Sequence, residues 1–209
     1  MLTLEQYSEN HTTPLDPIQE EVLTYTEANH KEAHMLSGRL QGQLLRQMVF
    51  FLKPKLVLEI GTMTGFSALC MASALPKGGE LHTLEKRETD AQLAQSFFDK
   101  TSYGKKIHLH LGKALETLNK FSKPWEFVYL DADKPGYIDY YEALLKTMKP
   151  NSIILADNVH FHGSVLSSPL KGKNAKAIVA FNQHVMKDER VEVIMLPVRD
   201  GLSLIRIRN

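Results

Sequence analysis

Leu56-Val57-Leu58-Glu59-Ile60-Gly61-Thr62-Met63-Thr64-Gly65-Phe66-Ser67 is a short branched-apolar run that breaks at two glycines four positions apart and leads into a helix-like segment. A run of this kind suits a strand buried on both faces of a parallel sheet. Six more apolar runs follow, at residues 80–84, 107–111, 127–130, 152–156, 191–196 and 202–207. Longer amphipathic segments separate the first five runs, which is the pattern of βαβ units. Only Asp200-Gly201 and a few neighbours separate the last two, so these form an antiparallel hairpin. The expected fold is therefore α/β, a Rossmann-like doubly wound seven-stranded sheet whose terminal hairpin contributes one reversed strand.

A chain of 209 residues suits one α/β domain with a sizeable core. Residues 1–209 are read as a single domain, with 1–52 a helical cover and 53–209 the core that carries the chemistry. Pro14 and Pro17 punctuate the start, and Ile18 to Asn29 and Gly38 to Leu52 are amphipathic. These helices could cover an active site or meet a partner subunit. Lys and Arg number 25 against 24 Asp and Glu, a formal charge of +1, which does not suggest a grip on nucleic acid. The apolar runs fall short of the roughly 18 residues of a membrane span, and the start lacks a secretory pattern. The single cysteine, Cys70, cannot form an internal disulfide, so a cytoplasmic location is expected.

Open parallel sheets bind ligands beyond the carboxyl ends of their strands. There the chain places Gly61-Thr62-Met63-Thr64-Gly65 after the first strand and Glu85 after the second. Glycine lets backbone approach a ligand without a Cβ in the way, and an acid at the Glu85 position can accept both ribose hydroxyls. Glu59, two residues before the first glycine, would repel a pyrophosphate and suits a cofactor carrying a sulfonium and an ammonium, namely S-adenosylmethionine. A nicotinamide dinucleotide, which would make the chain an oxidoreductase, competes for this pattern; so does a glycine turn with no ligand.

The fourth strand ends in Asp131-Ala132-Asp133-Lys134 and the fifth in Asp157-Asn158. If those strands are neighbours, Asp131, Asp157 and Asn158 converge. Their oxygens are hard donors suited to Mg²⁺ above all, or to Mn²⁺ or Ca²⁺. Each motif alone reads more readily as a helix cap or a chance pair; the two together beside a glycine loop favour a metal.

Three segments carry a resemblance across nearly the whole chain: residues 58–67, Asp131-Ala132-Asp133-Lys134, and Leu155-Ala156-Asp157-Asn158-Val159. With Met35–Gln43 and Pro197–Gly201, they resemble the cation-dependent O-methyltransferases, the group of the catechol and caffeoyl-CoA enzymes. The resemblance implies strand order 3-2-1-4-5-7-6, S-adenosylmethionine as methyl donor, a vicinal dihydroxy aromatic acceptor and a homodimer. It implies Asp131, Asp157 and Asn158 as metal ligands, Lys134 as the base, and Asp131 also near the sulfonium. Glu59 and Ser37 would meet the methionine portion, Gly61, Thr62, Gly65 and Ser67 the glycine loop's side of the cofactor, Glu85 the ribose and Ala114 the adenine. A non-catalytic cofactor-binding module is the alternative of a different class.

Around this set, Tyr137 and Phe161 are candidate substrate contacts; Phe161 lies near where the plant enzymes carry a tryptophan. Lys134 could instead pair with Asp133. His160 and His162 read as substrate wall or solvated loop, and Lys171 to Lys176 as a solvated loop or a phosphate grip. His108 and His110 alternate on a strand and need not face a site. Cys70, Tyr140 and Tyr141 read as packing.

Overall fold

A computed structural model describes residues 2–209. The seven strands are β1 (Leu56–Ile60), β2 (Glu80–Glu85), β3 (Ile107–Leu111), β4 (Phe127–Leu130), β5 (Ile153–Asp157), β6 (Val191–Leu196) and β7 (Leu202–Ile207). Their order is β3-β2-β1-β4-β5-β7-β6. β4 pairs in parallel with β1 and β5, whereas β7 runs antiparallel to both β5 and β6. Every residue of the inner strand β4 is buried, while β6 mixes buried and exposed positions as an edge strand does. Among the described residues no helix is long and apolar enough to cross a membrane.

The chain segregates into two compact units. Among the described residues, the first comprises 2–55 and 62–111, the second 56–61 and 112–209. In the first, α1 (Leu4–Asn10), α2 (Pro17–Asn29) and α3 (Gly38–Leu52) join α4 (Phe66–Ser73), β2, α5 (Glu88–Phe98) and β3. A capping box at Asp16 with Pro17 at the first turn starts α2. Its buried Thr26 donates to Thr64 Oγ1 at 2.8 Å, fastening the helix to the glycine loop. α3 packs closely on α4 at Gly42, where a Cβ would stand 2.7 Å from the Phe66 ring and 2.9 Å from the sulfur of the buried Cys70.

The second unit holds β1, α6 (Ala114–Leu118), β4, α7 (Tyr137–Leu145), β5, α8 (Lys173–Met186), β6 and β7. Lys173 and Lys176 begin α8, so residues 173–176 form a helix start where a loop was expected. Tyr140 and Tyr141 are buried packing residues whose hydroxyls donate to Asp133 and Asp188 at 2.7 and 2.8 Å.

Gly61 joins β1 to the end of β4. Its φ is +106°, and a Cβ there would fall 1.9 Å from the carbonyl oxygen of Asp131. Backbone strain and backbone overlap then act together. Gly61→Ala is expected to cost about 2 kcal/mol or more of unfolding free energy, read from urea denaturation. A variant as stable as the parent would contradict this reading of the β1–β4 junction.

Candidate active site

Parallel pairing of β4 with β5 sets Leu130 opposite Ala156, so the residues that follow each strand emerge side by side. Asp131 leaves β4 with its amide bonded to Ile60 O at 3.0 Å. Asp157 ends β5, and Asn158 follows with φ +56°, a left-handed conformation that asparagine tolerates better than most residues. Lys134 reaches up from the short turn after β4. Its ammonium donates to Asp131 Oδ1 at 3.2 Å, to Asn158 Oδ1 at 2.9 Å and to the Tyr137 hydroxyl at 2.6 Å.

All three ammonium protons are therefore engaged, and two of the acceptors are oxygens expected to ligate a metal. The lysine side chain is 10% exposed and that of Asp131 is 21% exposed. Lys134 does not pair with Asp133, whose Oδ1 accepts from Tyr140. Asp157 is 2% exposed. Its Oδ2 accepts from the buried Tyr129 hydroxyl at 2.7 Å and its Oδ1 from the Asn158 amide at 2.7 Å. Those bonds hold the carboxylate in one orientation.

Tyr137 was expected against substrate; the structure corrects this. It is fully buried, and its hydroxyl lies 3.2 Å from Leu130 O and 3.0 Å from Asp157 O while accepting from Lys134. Burial pushes its phenol well above the ordinary value of 10.0, and the charges of Asp131 and Asp157 add to the shift. It stays protonated and serves as a fixed post under the lysine.

After β5 the chain runs through Phe161 at φ +46° and His162 at +52°. Asp200 and Gly201 of the β6–β7 turn hold that loop: Asp200 O accepts from the His160 amide at 2.9 Å, Asp200 Oδ1 from the His162 amide at 2.6 Å and Gly201 O from the Val159 amide at 3.2 Å. Phe161 is half-buried and His162 exposed.

The expected cofactor residues fall in both units. In the second, Glu59 is fully buried in β1 in register with Tyr129, Gly61 follows it, and Ala114 opens α6 half-buried. In the first, Ser37 and Ser67 are both 7% exposed, and Gly65 has φ +86° with a would-be Cβ 2.5 Å from the Phe98 ring. Thr62 departs from expectation: its hydroxyl pairs with Thr83 and the residue is 2% exposed, so its side chain faces the protein. Glu85 is also committed. Its Oε2 accepts from the Met63 amide at 2.8 Å, and its Oε1 from the Lys86 and Arg87 amides at 2.9 Å each. It anchors the glycine loop, whatever else it accepts.

Tyr129 and Asp200 were missed in the sequence. A tyrosine inside an otherwise apolar strand two residues before Asp131 carried a signal, because a buried hydroxyl needs a partner.

The sequence profile of the O-methyltransferase family matches residues 8–208. This chain belongs to that family. It is similar to caffeoyl-CoA O-methyltransferase 2 of Zea mays, 31% identical over 205 residues that cover 92% of this chain and 78% of the maize protein. Among solved structures it resembles an O-methyltransferase of Bacillus cereus in complex with SAH, with 28% identity, TM-score 0.88 and coverage of 98% and 97% of the two chains. It also resembles the SAH-bound methyltransferase PaMTH1 of Podospora anserina, with 29% identity, TM-score 0.91 and coverage of 99% and 94%. Membership displaces the oxidoreductase alternative.

In this O-methyltransferase, Tyr137→Phe removes the neutral acceptor of the Lys134 ammonium. Its expected cost is about 1–2 kcal/mol of stability together with a fall in kcat at unchanged KM for the methyl donor. Denaturant unfolding and steady-state kinetics check both; a variant matching the parent in both would show that the hydroxyl positions nothing.

Proposed function

We propose that this chain transfers the methyl group of S-adenosylmethionine to one hydroxyl of a vicinal dihydroxy aromatic, using a divalent cation held by Asp131, Asp157 and Asn158. The observation that carries the proposal is the sharing of one positive charge, the Lys134 ammonium, between Asp131 Oδ1 and Asn158 Oδ1. Two hard oxygens on successive parallel strands converge on a cation, and Asp157 Oδ1 is bonded to the amide of the very residue that supplies one of them. Such a donor set fits Mg²⁺ best, with Mn²⁺ and Ca²⁺ as alternatives, and is poor for a thiophilic ion.

The methyl donor is supported by the SAH-bound relatives and by the buried Glu59, whose charge suits a cationic cofactor. We assign Glu59, Gly61 and Asp131 to its methionine end. The acceptor class is supported by the maize relative, whose name carries caffeoyl-CoA, an ester with two adjacent ring hydroxyls. Exposed Phe50, Phe51 and Leu52 at the end of α3 support a homodimer through the N-terminal helices.

The chemistry asks two things of the residues. Acceptor oxygen and methyl carbon must be held about 3 Å apart and in line, where orientation is worth roughly 7–11 kcal/mol. The hydroxyl must also lose its proton, and a free phenol with a pKa of about 10 is ionised at neutral pH in only about one molecule in a thousand. A bound divalent cation would favour the phenolate by direct charge stabilisation. Lys134 donates to two of the three ligands and is the group placed to take the proton; an ammonium has no lone pair, so it would do so only as the neutral amine, after giving up one of its own protons to solvent.

Lys134→Ala is expected to lower kcat by about 100-fold or more with little change in KM, measured with catechol acceptors. Full turnover of that variant across pH 6–9 would remove Lys134 as the base. Dialysis of the parent against EDTA is expected to abolish methylation, with Mg²⁺ restoring it, and Asp157→Ala should be inactive yet still bind S-adenosylhomocysteine by calorimetry. Methylation that survives the chelator would exclude the cation.

A further inference from the structure

The strand pair β2–β3 carries a second cluster of ligating side chains that methyl transfer does not use. Parallel register sets His82 opposite His108 and Leu84 opposite His110. Side chains two apart on a strand share a face, so Glu80 and His82 of β2 meet His108 and His110 of β3. Glu80 Oε1 lies 3.5 Å from His82 Nε2, and Glu80 Oε2 lies 3.4 Å from His108 Nε2. One ligand atom from each of the three falls within 4.8 Å of the others. Glu80 turns a different carboxylate oxygen to each imidazole, at separations like the roughly 3.3 Å between ligand atoms around a tetrahedral zinc with bonds of about 2.0–2.1 Å.

A second observation points the same way. His82 Nδ1 is 2.8 Å from His110 Nε2, and the two rings stack at 5.0 Å with an interplanar angle of 9°. A metal-bound imidazole commonly gives its remaining N–H to a neighbour, which fixes its tautomer and orientation. In the tautomer that binds a metal through Nε2, the nitrogen facing Glu80, His82 would donate from Nδ1 to His110. The other acid–histidine cluster, Glu142, His184 and Asp188, differs: the Arg190 guanidinium donates to Glu142 at 2.8 Å and to Asp188 at 2.6 Å, so the protein supplies that cation itself.

We propose that Glu80, His82 and His108 form a second metal site, structural rather than catalytic, for Zn²⁺ or another divalent ion that prefers imidazole, with His110 orienting His82. His82 is 6% exposed and anchors the site, whereas the His108 side chain is 46% exposed and leaves the fourth position to solvent. The ion clips the edge strand β3 to β2. Its ligands are borderline-soft, in contrast to the all-oxygen set at Asp131, Asp157 and Asn158, so the two sites select different metals.

The test is equilibrium dialysis of the full chain against Zn²⁺ in excess Mg²⁺, comparing the parent with His108→Ala and His110→Ala. The parent is expected to retain one more equivalent of zinc than His108→Ala, and His110→Ala to weaken that site by about 10-fold. Methyl transfer with Mg²⁺ should be unchanged in His108→Ala. Equal zinc stoichiometry and affinity in the parent and His108→Ala would overturn the proposal. X-ray absorption at the zinc edge of the parent gives a reading independent of any variant: two imidazoles in the coordination shell support the site, and a shell of oxygens alone excludes it.

Discussion

The ammonium of Lys134, shared between a carboxylate and a carboxamide oxygen, is the interaction on which the candidate site turns. It exists because β4 and β5 are parallel neighbours in a register that sets Leu130 opposite Ala156, so Asp131 emerges beside Asp157 and Asn158. Partly buried charges need partners, and unpaired ones are costly. The arrangement answers that requirement three times, with Asp131, Asn158 and the Tyr137 hydroxyl each accepting one proton. A divalent cation bound to the same oxygens would compete with the lysine for them. The residue proposed as base and the proposed metal ligands thus form one electrostatic unit, and none of them can be altered without disturbing the others.

Beneath that unit lies a layer of side chains that fix direction. Tyr129 holds Asp157 from below, and Tyr137 ties Lys134 to the carbonyls at the ends of both strands. Beside it, the loop carrying the left-handed residues Asn158, Phe161 and His162 is held by the Asp200-Gly201 turn, whose oxygens accept from the Val159, His160 and His162 amides. Conformations of this kind persist only where the surroundings over-determine them. The reversed terminal hairpin therefore does more than complete the sheet: it sets the path of the loop after β5, and with it the position of Phe161.

Much of this was legible in the sequence because strand ends are chemically conspicuous. Branched-apolar runs gave the strands nearly to the residue, and acids placed just after two of them marked Asp131 and Asp157. What escaped were partnerships made across the sheet. Nothing local says that the Thr62 hydroxyl turns to Thr83, or that Glu85 spends three bonds on backbone amides. Tyr137 read as a substrate contact from its nearness to Lys134, and only its burial shows it to be a support. The histidines of β3 looked like ordinary alternation until register set His108 opposite His82.

The central claim is that Asp131 and its neighbours form a seat for a hard cation. Titration of Mn²⁺ into the chain, followed by water-proton relaxation and repeated with Asp131→Ala, addresses it without reference to any acceptor. The account predicts one Mn²⁺ site in the parent that disappears in the variant. Identical titrations for the two proteins would contradict it.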